Sequence, residues 1–247
     1  MKKVFLAIFA FSLVTFSFGQ FKNPQNPYDY AGQFHNDALD YVVSNLKTPI
    51  TSGNDIVNLV AGYFNNTKGF KYDAAQFLNS NQNLARQFAN STNICNDFSA
   101  LGYSPQFCSA YNGLISTYSS KTTDQKFYYD IKLQESDIMS STLVNQKEVQ
   151  ILLTTASVLR YSNYYSEQPD NIAKWQQFAS TQAQAACCGG VAKSDASGAI
   201  AGGVAGAIVG GTVATPLGSA PGWVVGAVAW GAGSSVATFV GWLTGWW

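Results

Sequence analysis

The chain has 247 residues with 14 basic and 14 acidic side chains, and charged residues make up only 11% of it. Nucleic acid is excluded as an expected partner, because no basic stripe is present to neutralise phosphates. Aromatic residues reach 14%, and so much apolar surface has to be hidden in a core, a partner or a bilayer.

The first 19 residues have the pattern of a secretory signal peptide. Two lysines precede an apolar run from Val4 to Phe16, and Ser17 and Gly19 are small residues at the positions that signal peptidase requires before a cut. We therefore expect an exported protein, extracellular or associated with the cell envelope, whose mature chain begins at Gln20. Loss of the two lysines reduces the basic residues from 14 to 12 against 14 acidic ones, a net charge of −2.

Residues 20–188 are predicted to form a helical body. Apolar side chains recur there at helical spacing, whereas the two-residue alternation of strands is scarce. The predicted helices are Phe34 to Leu46, Asp55 to Phe64, Asp73 to Ala89, Ser104 to Tyr118, Asp124 to Leu143, Lys147 to Tyr165, and a last helix from Pro169. The third is interrupted by polar residues, so one helix or two remain open there. The expected fold is all-α: an N-terminal helical bundle followed by a Gly/Ala-rich hydrophobic helical hairpin.

Four cysteines, Cys95, Cys108, Cys187 and Cys188, indicate disulfides in an exported chain. Three pairings are possible. A Cys95–Cys108 bridge would close a local loop and leave the adjacent cysteines as a vicinal pair. Because a vicinal bond demands strained geometry, we favour the alternative in which both adjacent cysteines bond back to the body. No metal site is expected, since the single histidine and the four cysteines lack the paired spacing of zinc ligands.

The composition changes at Gly189 and Gly190. Residues 189–195 are predicted to be a linker that ends at Asp195, the last charged residue of the chain. Residues 196–247 are predicted to be a hairpin of two uncharged helical arms, Ala196 to Val213 and Trp223 to Trp247, joined by a proline-containing turn. The arms would be about 27 Å and 37 Å long, against a bilayer hydrocarbon core of about 30 Å.

Glycines spaced by four recur along both arms. Each Gly-xxx-Gly step leaves a stripe without side chains, along which two helices can approach closely. The predicted helix-packing zipper consists of Gly198, Gly202, Gly206, Gly210, Gly222, Gly226, Gly233, Gly241 and Gly245. Tryptophan prefers the interface between headgroups and acyl chains. The predicted membrane-interface anchors are Trp223, Trp242, Trp246 and Trp247.

From Lys193 through Ala237, beginning with Ser194-Asp195-Ala196-Ser197-Gly198-Ala199-Ile200-Ala201-Gly202-Gly203, the tail resembles class II bacteriocins and other glycine-zipper membrane proteins. The resemblance implies paired helices that insert into membranes and permeabilise competing bacteria. Gly189-Gly190 is similar to a double-glycine processing site. The body resembles secreted helical proteins of Bacteroidota-type bacteria whose function is unknown, through Asn26-Pro27-Tyr28-Asp29-Tyr30 and Ser157-Val158-Leu159-Arg160-Tyr161-Ser162-Asn163-Tyr164-Tyr165. That likeness implies no activity.

No enzyme is expected. His35 is the only histidine, and Asp37, two residues later, does not face it on a helix. No motif places a nucleophile beside it, so His35 is interpreted as a structural residue. The dispersed carboxylates are expected on solvated faces: Glu135, Asp137, Glu148 and Glu167.

Three hypotheses for function follow. The first is a membrane-inserting, bacteriocin-like protein that permeabilises target membranes through the hairpin. The second is a non-toxic structural protein of the envelope, or a surface protein that oligomerises through the zipper. The third is a soluble helical binding protein in which the hairpin completes the core. The expected partner is the lipid bilayer or another copy of the chain, with no small-molecule substrate and no cofactor.

Overall fold

Over the residues that it describes, the computed structural model is helical except for one short two-stranded ribbon, so the predicted all-α class is confirmed. It describes residues 19–46, 53–67, 91, 93–142, 145–176, 191–209, 212–215, 218–221 and 224–234. The helices of the body are α1 Tyr30–Asn45, α2 Gly53–Gly62, α3 Ile94–Ala100, α4 Pro105–Ser119, α5 Asp124–Ser140, α6 Gln146–Glu167 and α7 Pro169–Gln176. A π-helical turn, Tyr63–Thr67, continues α2. They are followed by α8 Val191–Val209, β1 Thr212–Thr215, β2 Gly218–Pro221 and α9 at residues 224–234.

The periodicity located most of these helices to within a few residues. The predicted segments from Phe34, Asp55, Ser104, Asp124, Lys147 and Pro169 correspond to α1, α2, α4, α5, α6 and α7. Helix α3 was not predicted. The predicted helix from Asp73 to Ala89 and the signal peptide up to residue 18 lie outside the described residues.

One buried carboxylate, that of Glu148, connects the starts of two helices. Glu148 and Asn145 form a reciprocal capping box at the start of α6: each side chain accepts a hydrogen bond of 3.0 Å from the other's backbone amide. Glu148 also accepts a bond from the Ser104 amide at 2.6 Å and one from its hydroxyl at 3.0 Å. The same hydroxyl caps α4, accepting from the Phe107 amide. The predicted solvated position of Glu148 is therefore wrong, because its carboxylate joins two helix starts inside the fold.

Helix α6 is the centre of the body. Every residue of α6 from Ile151 to Asn163 is buried, and α1, α4, α5 and α8 all pack against it. A helix that is buried on all sides has to satisfy its polar side chains within the protein. Ser157 and Arg160 of α6 do so through α1, α5 and the chain before α1.

Helix α1 crosses α6 closely at a glycine. A Cβ atom on Gly32 would lie 2.6 Å from Cγ of Tyr161 and 2.7 Å from the Ser157 carbonyl oxygen. The Gly32 amide donates to the Ser157 hydroxyl at 3.0 Å. This close crossing holds the next turn of α1, which carries His35, inside the core.

The C-terminal region departs from the predicted boundaries. Helix α8 begins at Val191 and so includes residues 191–195, which were predicted to be linker. It ends at Val209, and an antiparallel ribbon follows, with Thr212 opposite Pro221 and Thr215 opposite Gly218. The β-branched residues of β1 favour an extended chain over continued helix.

Helix α8 ends before the predicted first arm does, so its uncharged part is shorter than the length that was compared with a bilayer. The uncharged part of α8, residues 196–209, covers about 21 Å of a hydrocarbon core of about 30 Å. Among the described residues, the structure contains no helix that is both long and apolar enough to cross a membrane.

Candidate functional site

The tail is defined here as α8, the β1–β2 ribbon and α9, and the body as α1 to α7. Helix α8 of the tail packs into the core of the body. In α8, Asp195, Ala196 and residues 198–204 are buried, and Ile200 and Val204 are fully buried in the main hydrophobic cluster. Helix α8 packs mainly on α6 and also contacts α4, where the hydroxyls of Ser197 and Tyr111 lie 3.2 Å apart. The start of the tail is thus part of the hydrophobic core.

Three predicted zipper glycines, Gly198 and Gly202 of α8 and Gly226 of α9, lie in the contact between the two helices. A Cβ atom on Gly202 would lie 2.6 Å from the Gly226 carbonyl carbon and 2.7 Å from Cβ of Trp230. A Cβ atom on Gly198 would lie 2.8 Å from Cβ of Ser234. The two backbones approach so closely that no side chain fits between them.

The remaining predicted zipper residues divide into three groups. Gly206 lies in α8, and Gly233 lies in α9 with no atom within 4 Å of its Cβ position. The others lie outside the described residues: Gly210, Gly222, Gly241 and Gly245. The same holds for the predicted anchors Trp223, Trp242, Trp246 and Trp247 and for the predicted processing site Gly189 and Gly190.

Two glycines that the spacing of four did not single out face the body. A Cβ atom on Gly203 would lie 3.8 Å from Cβ of Ile151 in α6 and 3.7 Å from Cβ of Ala227 in α9. A Cβ atom on Gly231 would lie 3.2 Å from the His35 ring. The doublet Gly202-Gly203 in the sequence could have predicted this second contact. Adjacent residues of a helix point in different directions, so two adjacent glycines allow close packing on two faces of α8.

A buried polar group joins the tail to the body at the start of α8. His35 Nε2 of α1 lies 3.3 Å from Asp195 Oδ2 of α8, and the Ser162 hydroxyl of α6 donates to the same oxygen. Both ionisable side chains are 0% exposed. His35, which the sequence analysis interpreted as a structural residue, is buried between helices. Its partner, Asp195, lies 160 positions later in the chain.

These three residue types are those of a hydrolytic triad, but their arrangement differs. In a triad the histidine accepts the serine proton and the carboxylate orients the far side of the ring. Here the serine hydroxyl donates to the carboxylate, and His35, Ser162 and Asp195 are at most 1% exposed. The geometry suits a polar joint between α1, α6 and α8.

A second buried cluster fixes the N-terminal segment to the body. Arg160 of α6 donates to Glu135 at 2.8 Å and to Asp29 at 2.6 Å, and it also contacts the Phe21 carbonyl. Burial by itself lowers the pKa of Arg160, but the two carboxylates outweigh burial and hold that pKa above its ordinary value. Burial raises the pKa of Tyr161, and the adjacent Asp29 carboxylate, to which it donates, raises it further.

Glu135 is therefore not on a solvated face, as its sequence context predicted. Its carboxylate accepts hydrogen bonds from Asn23 at 2.6 Å and Asn26 at 2.7 Å as well as from Arg160, and it is 0% exposed. Asp137 is exposed and Glu167 is partly exposed, as predicted. Residues that follow the predicted signal-peptide cut thus become part of the core.

The disulfide links Cys95 of α3 to Cys108 of α4, with Cα atoms 5.5 Å apart. The favoured pairing of both adjacent cysteines with the body is wrong, because Cys95 and Cys108 bond to each other. Cys187 and Cys188 lie outside the described residues.

A groove of about 400 Å³ lies beside the bridge, lined by neutral side chains that include Ser99, Tyr103, Pro105 and Asn112. Burial, with a smaller effect of Glu148, raises the pKa of Tyr103 to about 12. Within the described part of the chain, no group of His, Cys, Asp and Glu is arranged to hold a metal ion. Comparisons of the chain with protein-family models, with curated proteins and with solved structures found no match.

Proposed function

We propose that this protein is an exported, bacteriocin-like membrane-active protein that stores its tail against the helical body and inserts the tail into lipid after release. The observation that carries the proposal is the contact of α8 with α9 through Gly198 and Gly202. This contact is made by the two tail helices alone, so the pair can leave the body as one unit. Close backbone packing is also the kind of contact that holds helices together in lipid, where no hydrophobic effect operates between them.

Contacts with lipid acyl chains can replace the apolar contacts that the tail makes with the body. Ile200 and Val204 of α8 pack into an apolar core, and acyl chains are as apolar as such side chains. Beyond Asp195 the chain carries no charged residue, and five of its six tryptophans follow residue 222. Since the uncharged part of α8 covers about 21 Å, the proposed inserted state passes beyond one leaflet without α8 alone spanning the bilayer.

Dye-loaded anionic vesicles test this proposal with the mature chain, residues 20–247. The substitution Trp175→Phe leaves five tryptophans, all of which follow residue 222. We expect dye release, together with quenching of the tail tryptophans by brominated lipids. Absence of both release and quenching would overturn the proposal. Quenching without release would favour the second hypothesis, a non-toxic protein seated in the envelope. A truncated body is a poor control, because removing α8 also removes Ile200 and Val204 from the core.

The third hypothesis, a soluble binding protein with a permanently buried hairpin, has one specific observation in its favour. Asp195 is fully buried and paired with His35, which is costly to undo. In that case the vesicles would stay intact and the tail tryptophans would stay unquenched.

A further inference from the structure

The Cys95–Cys108 disulfide lies in the wall of the groove that α3, α4 and the chain between them form. Both cysteines line this groove, and its volume of about 400 Å³ is in the range of small-molecule sites. Cys95 is partly exposed, whereas Cys108 is only 4% exposed. The groove therefore gives a small molecule access to the bridge, and Cys95 is the more accessible of the two residues.

One side-chain amide contacts both sulfur atoms of the bridge. Asn112 Nδ2 donates to Cys95 Sγ at 3.4 Å and to Cys108 Sγ at 3.7 Å. Asn112 lies four residues after Cys108 on α4, so their side chains share one face of the helix. The amide therefore stays beside Cys108 when the bridge opens. A hydrogen bond to a thiolate is charge-assisted and hence stronger than one to a neutral sulfur, so Asn112 stabilises Cys108 as a leaving thiolate.

Aromatic packing holds α3 on α4 independently of the bridge. Phe98 of α3 is fully buried, and its ring centre lies 5.0 Å from that of Phe107 and 5.7 Å from that of Tyr111, both in α4. The Phe98 carbonyl oxygen also accepts a hydrogen bond of 3.0 Å from the Tyr103 amide. Because none of these contacts involves a sulfur atom, the groove can keep its walls when the bridge opens.

The groove is also compatible with an anionic nucleophile. Its lining residues in the described part of the chain are all neutral. Burial raises the pKa of Tyr103 to about 12, so its phenol keeps its proton at the pH where a thiol, with a pKa of about 8.5, becomes a thiolate. Glu148 is buried behind Ser104, whose hydroxyl donates to its carboxylate at 3.0 Å. A thiolate, the reactive form of a thiol, thus meets neutral side chains in the groove.

We infer that this groove is a thiolation site, at which a low-molecular-weight thiol forms a reversible mixed disulfide with Cys95. The incoming thiolate attacks Cys95 Sγ and forms a new S–S bond. The bond between Cys95 and Cys108 breaks, and its electron pair stays on Cys108 Sγ, which takes up the proton that the incoming thiol released. One disulfide is exchanged for another disulfide and a free thiol, so the step needs no further oxidant or reductant. The inference does not depend on the proposed membrane function.

Exchange with 2-mercaptoethanol tests the site on the folded mature chain, residues 20–247. A limiting amount of this thiol is added in mildly alkaline buffer, free thiols are blocked with iodoacetamide, and the tryptic peptides are analysed by tandem mass spectrometry. Peptide 87–121 contains Cys95 and Cys108, whereas the remaining two cysteines lie in peptide 175–193. We expect mercaptoethanol on Cys95 and a blocked thiol on Cys108, with an unchanged circular dichroism spectrum.

The dependence of the exchange rate on urea separates this site from a purely structural disulfide. Exchange at a preformed groove should proceed in the folded protein, so its rate should stay constant at urea concentrations below the unfolding transition. A structural bridge becomes reactive only on unfolding, and its rate would rise steadily with urea. Such a rise, equal adducts on Cys95 and Cys108, or absence of any adduct would overturn the inference.

Asn112→Ala tests the role of the amide as a positioning residue. We expect the exchange rate to fall roughly tenfold, as the loss of a hydrogen bond to a charged group implies. A loosened structure would have the opposite effect, because it would expose the bridge and raise the rate. Ser109→Ala is the matched control, since Ser109 is exposed on the same helix and lines the same groove; its rate should equal that of the unmodified chain. An undiminished rate for Asn112→Ala would overturn the assignment of Cys108 as the stabilised leaving thiolate.

Discussion

Gly202→Ala should lower the free energy of unfolding by about 3 kcal/mol, the upper range for overpacking a tight contact. The added methyl group would meet the Gly226 carbonyl carbon at 2.6 Å and Cβ of Trp230 at 2.7 Å. Neither atom is the end of a flexible side chain, so α8 and α9 have to move apart. Urea unfolding followed by circular dichroism measures the change.

Gly233→Ala is the matched control for this substitution. Its added methyl group has no atom within 4 Å, so the same replacement should be neutral or stabilising by up to about 1 kcal/mol through helix propensity. A similar loss of stability in both variants would mean that the α8–α9 contact is not what Gly202 provides.

Glu135→Gln should cost about 3 to 5 kcal/mol, the usual effect of removing one partner from a buried ion pair. Glu135 and Arg160 are both 0% exposed and 2.8 Å apart. The neutral amide leaves the guanidinium with one carboxylate, Asp29, and turns a donor toward Asn23 or Asn26, which are themselves donors there. Thermal unfolding measures the loss of stability. Limited proteolysis measures whether residues 19–29 have come away from the body.

Asp137→Asn, on the same helix, is the control for charge. Asp137 is exposed, and such surface substitutions stay within about 0.5 kcal/mol. Equal stability of the Glu135→Gln protein and the unmodified chain would contradict the assignment of the Arg160 cluster as a fixed structural element.

The sequence predicted local features well. The apolar spacing located α1 and α6, and Ser104-Pro105 marked the start of α4, because both signals depend only on neighbouring residues. Gly198 and Gly202, which the spacing placed on one face of a helix, both lie against α9 in the structure.

Features that depend on distant partners were not predictable in the same way. Glu135 and Glu148 have the local context of surface carboxylates, and only the fold shows that Arg160 and the start of α4 enclose them. Asp195 was predicted to end a linker, whereas it lies inside α8 and is buried opposite His35. The sole histidine and the last charge of the chain were both noted, but periodicity does not pair residues across the chain.

Two engineered disulfides test the central claim that the tail is stored on the body and acts after leaving it. The Cβ position of Gly203 lies 3.8 Å from Cβ of Ile151 and 3.7 Å from Cβ of Ala227, both typical of a disulfide. Ile151→Cys with Gly203→Cys ties the tail to the body, whereas Gly203→Cys with Ala227→Cys ties α8 to α9 only.

Dye release from anionic vesicles is measured for both bridged proteins, with the unmodified chain carried through the same oxidation and reduction. The bridge between tail and body should abolish release until it is reduced, and the bridge within the tail should leave release unchanged. Full release while the tail remains bridged to the body would contradict the account.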